Sequence, residues 1–242
     1  MAELDIREKG RDAGGEIITS DRRLFMQLLA FGNVPDIAPL SDALNASSLS
    51  GALYLDLNDP HGAALVTAAE DPLFFVEELR SFIAASPLAS CTLKPEYTMF
   101  GRTYAVGYEA DLDHILIERP FSRLCDPAMP WAIWYPLRRK GAFEQLDADT
   151  QRDILSEHGR LGARFSAGGH GQDIRLACHG LDKHDNDFVI GLVGPQLHPL
   201  SVMVQAMRKT RQTSEFIEEL GPFFIGKAVW QRAPKGIVHG AG

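Results

Sequence analysis

The most chemically suggestive residue of the sequence is His158, in the stretch ILSEHGRLGARF (154–165). At 3.6 residues per turn, one stripe of a helix over this stretch would carry the histidine together with apolar side chains. The members of that stripe, at i, i+4, i+7 and i+11, are Ile154, His158, Leu161 and Phe165. Gly162, one turn after the histidine, would leave room beside it. The imidazole is therefore either a core histidine with ordinary partners, which composition alone favours, or a group that faces something admitted by the cleared space.

The other polar motifs do not match common catalytic patterns. GGHGQD (168–173) is rich in glycine, but it precedes a predicted strand, whereas a phosphate-binding loop follows a strand and opens a helix. DKHDND (182–187) begins like a calcium loop and lacks the glycine and the final glutamate of that motif. The sequence contains neither GxSxG nor HExxH. These absences disfavour ordinary hydrolase and metalloprotease functions.

Composition and charge limit the classes of partner. The 242 residues are 45% apolar and 23% charged, as in ordinary globular proteins, and the formal net charge is −8. Because the sequence has no long basic tract, we expect no nucleic-acid partner. No apolar run approaches the roughly 20 residues of a membrane-spanning helix. The three cysteines form no CxxC pair, and the charged residues 1–20 lack the apolar region of a signal peptide. We expect a cytoplasmic protein with a flexible leader over 1–20.

Two stretches have the same predicted order of elements. Residues 51–83 and residues 173–210 each read as a strand, a polar turn, a second strand and an amphipathic helix. Each stretch is preceded by a strand-like segment and a helix, and is followed by another strand-like segment. The flanking strand-like segments are RRLFMQLLAFG (22–32), GRTYAVGYEA (101–110), WAIWYPL (131–137) and GPFFIGKAVW (221–230).

The predicted order of strands and helices is βαββαβ, and it occurs twice along the chain. It predicts an α+β protein of two ferredoxin-like halves, each with an antiparallel sheet and with helices on one face. The boundary falls in ERPFSRLCDPAMP (118–130). We therefore predict an N-terminal domain over 21–120 and a C-terminal domain over 121–242.

From residue 131 onward the sequence resembles the chlorite dismutase family, which also contains the peroxide-dependent coproheme decarboxylases. An ordered series of short segments carries the resemblance: WYPLRR (134–139), LDADTQRDILSEHG (146–159), IRLACHGLD (174–182), NDFVIGL (186–192), QAMRKT (205–210) and LGPFFIGKA (220–228). The resemblance implies that the two halves form a subunit of the dimeric α+β barrel type. It also implies a heme in the C-terminal half, none in the N-terminal half, and a homo-oligomer, commonly a pentamer.

The resemblance further implies that His158 ligates the heme iron from the proximal side. In chlorite-converting members a glutamate orients this histidine, and here Gln212 falls at that place; an amide would leave the imidazole less anionic and weaken electron donation to the iron. Those members place an arginine four residues before a histidine on the distal strand, which Arg175 and His179 match. Decarboxylases often carry a distal glutamine, and Gln172 is the alternative. Arg175 could equally form a plain surface or interface salt bridge.

Further matches lie on the side of the decarboxylases. Tyr135 aligns with the tyrosine that those enzymes oxidise to a radical, although the same tyrosine occurs in chlorite-converting relatives and could be an ordinary strand aromatic. Guanidinium groups suit the carboxylates of coproheme because each donates two parallel hydrogen bonds. The residues that align with propionate-binding positions are Arg123, Arg139 and Arg208, with Thr213 or Ser214 at a nearby hydroxyl position.

These matches predict a heme-dependent oxidoreductase that acts on a porphyrin with a small oxidant. The favoured reaction is the decarboxylation of coproheme by hydrogen peroxide, a step of heme biosynthesis. Two alternatives stay open at this point. One is the conversion of chlorite to chloride and dioxygen on heme b, with Arg175 at the distal face. The other is a heme carrier or sensor without turnover, because the same basic residues would serve either role.

Overall fold

The strands of the protein form one large antiparallel sheet and a small hairpin. The structure is a computed structural model and describes residues 4–237. The strands are β1 (Glu8–Arg11), β2 (Ile17–Ser20), β3 (Phe25–Gly32), β4 (Gly51–Asp56), β5 (Ala63–Ala69), β6 (Thr92–Leu93), β7 (Met99–Arg102), β8 (Trp131–Arg139), β9 (Gln172–Ala177), β10 (Phe188–Gly194), β11 (Ile217–Leu220) and β12 (Phe224–Arg232).

Helices cover the outer face of this sheet and the junction between its halves. They are α1 (Ala38–Ala46), α2 (Leu73–Val76), α3 (Glu78–Ala85), α4 (Arg119–Leu124), α5 (Ala148–Ala167), α6 (Leu197–Met207) and α7 (Arg211–Phe216). A π-helical turn over 114–118 leads into α4. Within residues 4–237, no helix has the length and apolarity to cross a bilayer.

The sheet consists of two ferredoxin-like halves joined edge to edge. The N-terminal half has the strand order β7-β3-β5-β4, and the C-terminal half has the order β9-β10-β8-β12. Pairing of β4 with β12 and of β7 with β9 joins the halves, so that these eight strands form a closed ring. The α+β class and the doubled ferredoxin-like arrangement predicted from the sequence are confirmed.

Side-chain alternation along β8 separates two cores. Ala132 and Trp134 point into the barrel, while Ile133, Tyr135 and Leu137 point outward under α5 and α6. The outer cluster also contains three residues of α6, which are Leu200, Met203 and Met207. A matching outer cluster lies between the N-terminal half and helices α1 and α3. The site described below lies on the outward face of the C-terminal half.

The interior of the barrel depends on a close approach between β8 and β10. Trp134 is 1% exposed and pairs in register with Gly191. A Cβ atom at position 191 would lie 2.5 Å from the indole ring, so the glycine provides the space that the ring fills. This contact fixes the register of the two strands that form the floor of the outer cluster.

The N-terminal segment contains a hairpin within the stretch 1–20, whose flexibility as a leader stays a prediction and whose residues 1–3 lie outside the described residues. Residues 8–20 form the hairpin β1–β2, which contacts the rest of the chain. The Glu8 carboxylate accepts a hydrogen bond from Arg102 Nη1 at 2.7 Å and another from the Ala105 N–H at 3.0 Å. The first twenty residues look featureless in the sequence because these partners lie far along the chain.

The predicted strand over 101–110 ends at Arg102. The Glu109 carboxylate, which is buried, accepts hydrogen bonds from the N–H groups of Val106, Gly107 and Tyr108 and bends the chain into a loop. Gly107 has φ +101°, which suits glycine at this bend.

Two other segments also differ from expectation. The helix predicted after Asp71-Pro72 divides at Glu77 into α2 and α3, and the predicted boundary segment 118–130 contains α4.

We predict that Gly191→Ala lowers the free energy of unfolding by about 1–3 kcal/mol, because the added methyl group overlaps the Trp134 ring. The matched control is Gly159→Ala in α5, where a Cβ atom meets nothing within 4 Å. That change should raise the free energy of unfolding by about 0.5–1 kcal/mol, since alanine is the better helix former. Urea unfolding of both variants checks the opposite signs.

Candidate functional site

Helix α5 carries His158 to the outward face of the C-terminal half. The helix begins after Asp147, whose carboxylate accepts a hydrogen bond from the Thr150 N–H at 2.9 Å. Leu161 and Phe165 pack against the outer cluster, as the predicted stripe requires. The room expected beside Gly162 is used by Met207, because a Cβ atom at the glycine would lie 3.3 Å from the Met207 methyl group. Helices α5 and α6 therefore approach closely at this point.

The hydrogen bonds of His158 define its tautomer. Its Nδ1 lies 3.0 Å from Thr210 Oγ1, and the Thr210 hydroxyl donates its own proton to the Met207 carbonyl at 2.8 Å. With that proton directed at the carbonyl, the oxygen is placed to accept from the imidazole, which favours the tautomer with its hydrogen on Nδ1. Nε2 is left with its lone pair. Burial also lowers the pKa of His158 below its ordinary value of 6.5, which keeps the ring neutral. The imidazole is thus prepared as a metal ligand.

The residue that orients His158 is Thr210 rather than Gln212. Thr210 is buried and precedes α7, whereas Gln212 lies two residues further along the chain, inside that helix. Threonine, like glutamine, is neutral, so the expectation of a weakly anionic imidazole is unchanged by this correction. Sequence alignment missed Thr210 because the contact spans 52 residues and depends on how the chain turns between α6 and α7.

Tyr135 and Arg139 lie on the same face of β8. The Tyr135 ring stacks on Phe223 with 4.7 Å between centroids, and burial raises the pKa of its phenol. The Arg139 guanidinium packs over Phe143 and Phe188 at 4.2 and 4.9 Å from the ring centroids. Its Nε is buried without a hydrogen-bond partner among the residues described. The tyrosine is therefore held as a protonated phenol, and the arginine has an unused donor.

Three arginines surround Asp173 at the start of β9. Asp173 accepts a hydrogen bond from Arg123 Nη1 at 3.0 Å and pairs with Arg175 Nε at 3.1 Å. Arg119 lines the same cavity. Burial alone would raise the pKa of Asp173, but the charges of Arg175, Arg123 and Arg119 hold it below its ordinary value. Burial, with repulsion from Arg123 and Arg175, lowers the pKa of Arg119 to about 10. Sequence reasoning identified Arg123 and Arg175 and missed Asp173 and Arg119.

The remaining predicted residues lie at the margins of this region. Gln172 is the first residue of β9 and pairs in register with Val193. Arg208 is exposed at the carboxyl end of α6. The Ser214 hydroxyl donates to the Thr210 carbonyl at 2.9 Å, so Ser214 supports the turn that holds Thr210. His179 pairs with Asp187 Oδ1 at 3.1 Å and lies beyond the end of β9.

Electrostatics connects these groups into one site. The charges of Asp173 and Arg175 act on the pKa of His158, and those of Asp173 and Arg208 act on the pKa of Tyr135. A neutral imidazole, a protonated phenol and several guanidinium groups therefore share the outward face of the C-terminal half. Within residues 4–237, no cluster of three His, Cys, Asp or Glu side chains is arranged to hold a metal ion. A neutral imidazole can ligate a metal ion, and guanidinium groups can bind carboxylates.

Comparison with known proteins agrees with this architecture. The sequence model described as chlorite dismutase matches residues 65–229, which is more than half of the chain. The chain belongs to the chlorite dismutase family. Members of this family are generally heme-dependent oxidoreductases. No curated protein matches the sequence.

Solved structures of this fold superpose over most of the chain. A heme-binding protein from Thermus thermophilus is 16% identical with a TM-score of 0.66, and the match covers 86% of this chain and 92% of that one. A mutant chlorite dismutase from Candidatus Nitrospira defluvii in complex with cyanide is 15% identical with a TM-score of 0.67, covering 87% and 92%. The enzyme from the same source in complex with imidazole is 13% identical with a TM-score of 0.64, covering 87% and 93%. At these identities the likeness shows a common fold.

We predict that Thr210→Val changes the tautomer of His158, because the Nδ1–H loses its acceptor. A lost hydrogen bond of this kind shifts the equilibrium toward the Nε2–H form by about tenfold. Nitrogen-15 shifts of the imidazole in the free protein report the two tautomers. The control is Thr213→Val, whose hydroxyl lies 3.5 Å from Thr210 Oγ1 and has no hydrogen bond to the imidazole among the described residues. An unchanged tautomer in Thr210→Val would contradict the assignment.

We further predict that His158 titrates below pH 6.5 in the free protein, because burial disfavours the charged ring. The unfolded chain then binds a proton that the folded chain does not. The histidine's contribution to stability is therefore complete above pH 6.5 and is lost as the pH falls from 6.5 through the folded pKa. His158→Gln should remove this part of the pH dependence of unfolding. His198→Gln, at an exposed position of α6, serves as the control.

Proposed function

We propose that the protein is a heme-dependent oxidoreductase that catalyses the peroxide-dependent decarboxylation of coproheme. The observation that carries the proposal is the hydrogen-bonded series His158–Thr210–Met207, which leaves Nε2 of a neutral imidazole free to bind iron. The family and its heme-binding structural neighbour support the same class of cofactor. The expectation of a homo-oligomer stays a prediction.

The residues around His158 fit a carboxylated porphyrin. The outer cluster offers an apolar wall for a flat macrocycle, formed in part by Ile133 and Leu137 of β8. Arg139 lies on the same strand and face as Ile133 and Leu137; its Nη1 pairs with Glu144 at 3.5 Å, while its Nε lacks a partner in the described part of the chain. Guanidinium groups bind carboxylates through paired, charge-assisted hydrogen bonds. We assign Arg123, Arg139 and Arg208 to the propionates, and Ser214 to the support of that region.

Tyr135 is the group of this chain that best suits the oxidation of a propionate. The bound iron porphyrin would supply the redox centre that reduces peroxide. Conversion of one propionate to a vinyl group and carbon dioxide releases two electrons and one proton. One peroxide accepts the two electrons, together with that proton and one from solvent, and yields two waters. A phenol can pass on an electron and a proton together, and burial keeps the Tyr135 proton in place until then. Stacking on Phe223 fixes the ring.

Conversion of chlorite is the second candidate, and Arg175 is the observation that favours it. Arg175 lies on the outward face of β9, where it could hold an anionic oxidant. Its guanidinium is already paired with Asp173, so part of its charge is neutralised. That pairing weakens the case for chlorite relative to coproheme. Gln172 is the alternative at the distal face.

The test begins with anaerobic titration of the protein with coproheme and with heme b, followed by peroxide and mass analysis of the porphyrin. Wild-type protein should convert the propionates of coproheme to vinyl groups. His158→Ala should bind iron porphyrin far more weakly and lose the spectral shift of the bound iron. Tyr135→Phe should bind coproheme normally and lose decarboxylation by about 100-fold or more, since phenylalanine has no O–H to give up.

Tyr97→Phe, in the N-terminal half of the barrel, is the matched control and should retain full activity. Intact coproheme after peroxide, together with dioxygen release from chlorite, would replace decarboxylation by chlorite conversion. Failure of both reactions with retained porphyrin binding would leave a heme carrier or sensor. Unchanged iron-porphyrin affinity and an unchanged spectrum in His158→Ala would overturn the assignment of the iron ligand.

A further inference from the structure

The cavity between α4 and β9 contains more positive than negative charge. Its charged lining residues are Arg119, Arg123, Asp173 and Arg175, and the lining also includes Tyr104. Among the lining residues, three guanidinium groups and one carboxylate leave a formal surplus of two positive charges, of which the nearby buried Glu109 carboxylate offsets a part. Like charges held together out of water repel each other strongly. The arrangement is therefore one that an additional anion would stabilise.

Asp173 supplies the anion for only part of this cluster. Its Oδ1 accepts from Arg123 Nη1 at 3.0 Å, and its Oδ2 pairs with Arg175 Nε at 3.1 Å. Arg123 Nη1 also donates a hydrogen bond to the Asp173 carbonyl. Arg119 has neither an ion pair nor a side-chain hydrogen bond to any residue between 4 and 237. One guanidinium thus stands ready for an anion, while the other two are held by the chain itself.

The cavity is so small that a ligand can enter only if a side chain moves out. Its volume is about 10 Å³, which is room for about one water molecule. A carboxylate from a bound molecule is larger than that. The Asp173 side chain, about 35% exposed, can turn toward solvent, whereas Arg123 is 16% exposed and anchored on its helix. Arg175 is exposed to the same 35%, but the aspartate is the side chain whose departure frees both Arg123 and Arg175 at once.

We propose that Asp173 is an internal placeholder for a carboxylate of the ligand. In the free protein it holds Arg123 and Arg175 in their binding positions. When the ligand enters, its carboxylate takes the place of the Asp173 carboxylate and Arg119 donates to it as well. The identity of the ligand as a porphyrin carboxylate rests on the proposed function. Asp173 thereby weakens the binding of any ligand that cannot offer a carboxylate in exchange.

The experiment uses metal-free coproporphyrin, which has four carboxylates and no iron. Its binding is followed by porphyrin fluorescence with the full-length protein. Asp173→Asn keeps the shape of the side chain and removes the competing charge, so the affinity should rise by about tenfold or more. The uncharged tetramethyl ester of coproporphyrin, titrated in the same dilute detergent, should show no such gain. Asp153→Asn, at an exposed position of α5, is the matched control and should change neither affinity.

A second variant tests the free guanidinium. Arg119→Gln should weaken coproporphyrin binding by about tenfold, while Arg152→Gln, whose side chain is 71% exposed, should leave it unchanged. Without ligand, Asp173→Asn should melt at a lower temperature than the wild type, because two guanidinium groups lose their partner. Saturating coproporphyrin should remove this difference in melting temperature. Asp173→Ser replaces Asp173→Asn if the latter does not fold.

Equal or weaker coproporphyrin affinity in Asp173→Asn and Asp173→Ser would show that the aspartate is a structural ion pair, and would overturn the proposal. An equal gain for the ester would do the same, because the effect would then not depend on carboxylates. Since the probe lacks iron, these results do not involve His158 ligation. The placeholder can therefore fail while the proposed iron ligation stands, and the reverse also holds.

Discussion

The contact between Trp134 and Gly191 inside the barrel is the constraint on which the outer site depends. It fixes the register of β8 against β10, and a slip of one residue would exchange the inner and outer faces of β8. Tyr135 and Arg139 would then point into the barrel rather than toward α5. The buried indole of Trp134 therefore helps to position the neighbouring polar groups of β8, although it is not itself one of the site residues.

The parts of the structure that depend on short-range patterns could be predicted from the sequence. The two βαββαβ units follow from alternation and helical spacing within short windows, and the His158 stripe forms as its spacing indicates. Arg123, Arg139, Arg175 and Arg208 could be named because they fall at positions that the family resemblance implies, and Arg119 could not. The partners of these arginines in the free protein could not be named, because the local sequence does not predict hydrogen bonds between residues that are far apart along the chain.

Three features show where that limit falls. Thr210 contacts a histidine 52 residues away, and Arg123 contacts Asp173 across 50 residues. The hairpin over 8–20 is tied to the rest of the chain in part by Glu8, which accepts a hydrogen bond from Arg102, 94 residues further along. Each of these contacts joins elements that are far apart in the sequence and become neighbours only in the folded chain. The type of each residue indicated what its side chain could bind, and the folded structure determined which partner it contacts.

The closure of the barrel is unequal at its two seams. Strands β4 and β12 pair over most of their lengths, whereas β7 and β9 meet at the single register pair of Arg102 with Ala177. Backbone hydrogen bonds between strands are what hold such a seam together. The β7–β9 seam therefore opens at a lower cost in free energy than the β4–β12 seam, and its strand amides should exchange faster than those of β4 and β12. Local opening of the barrel therefore involves β9, the strand that bears Asp173 and Arg175.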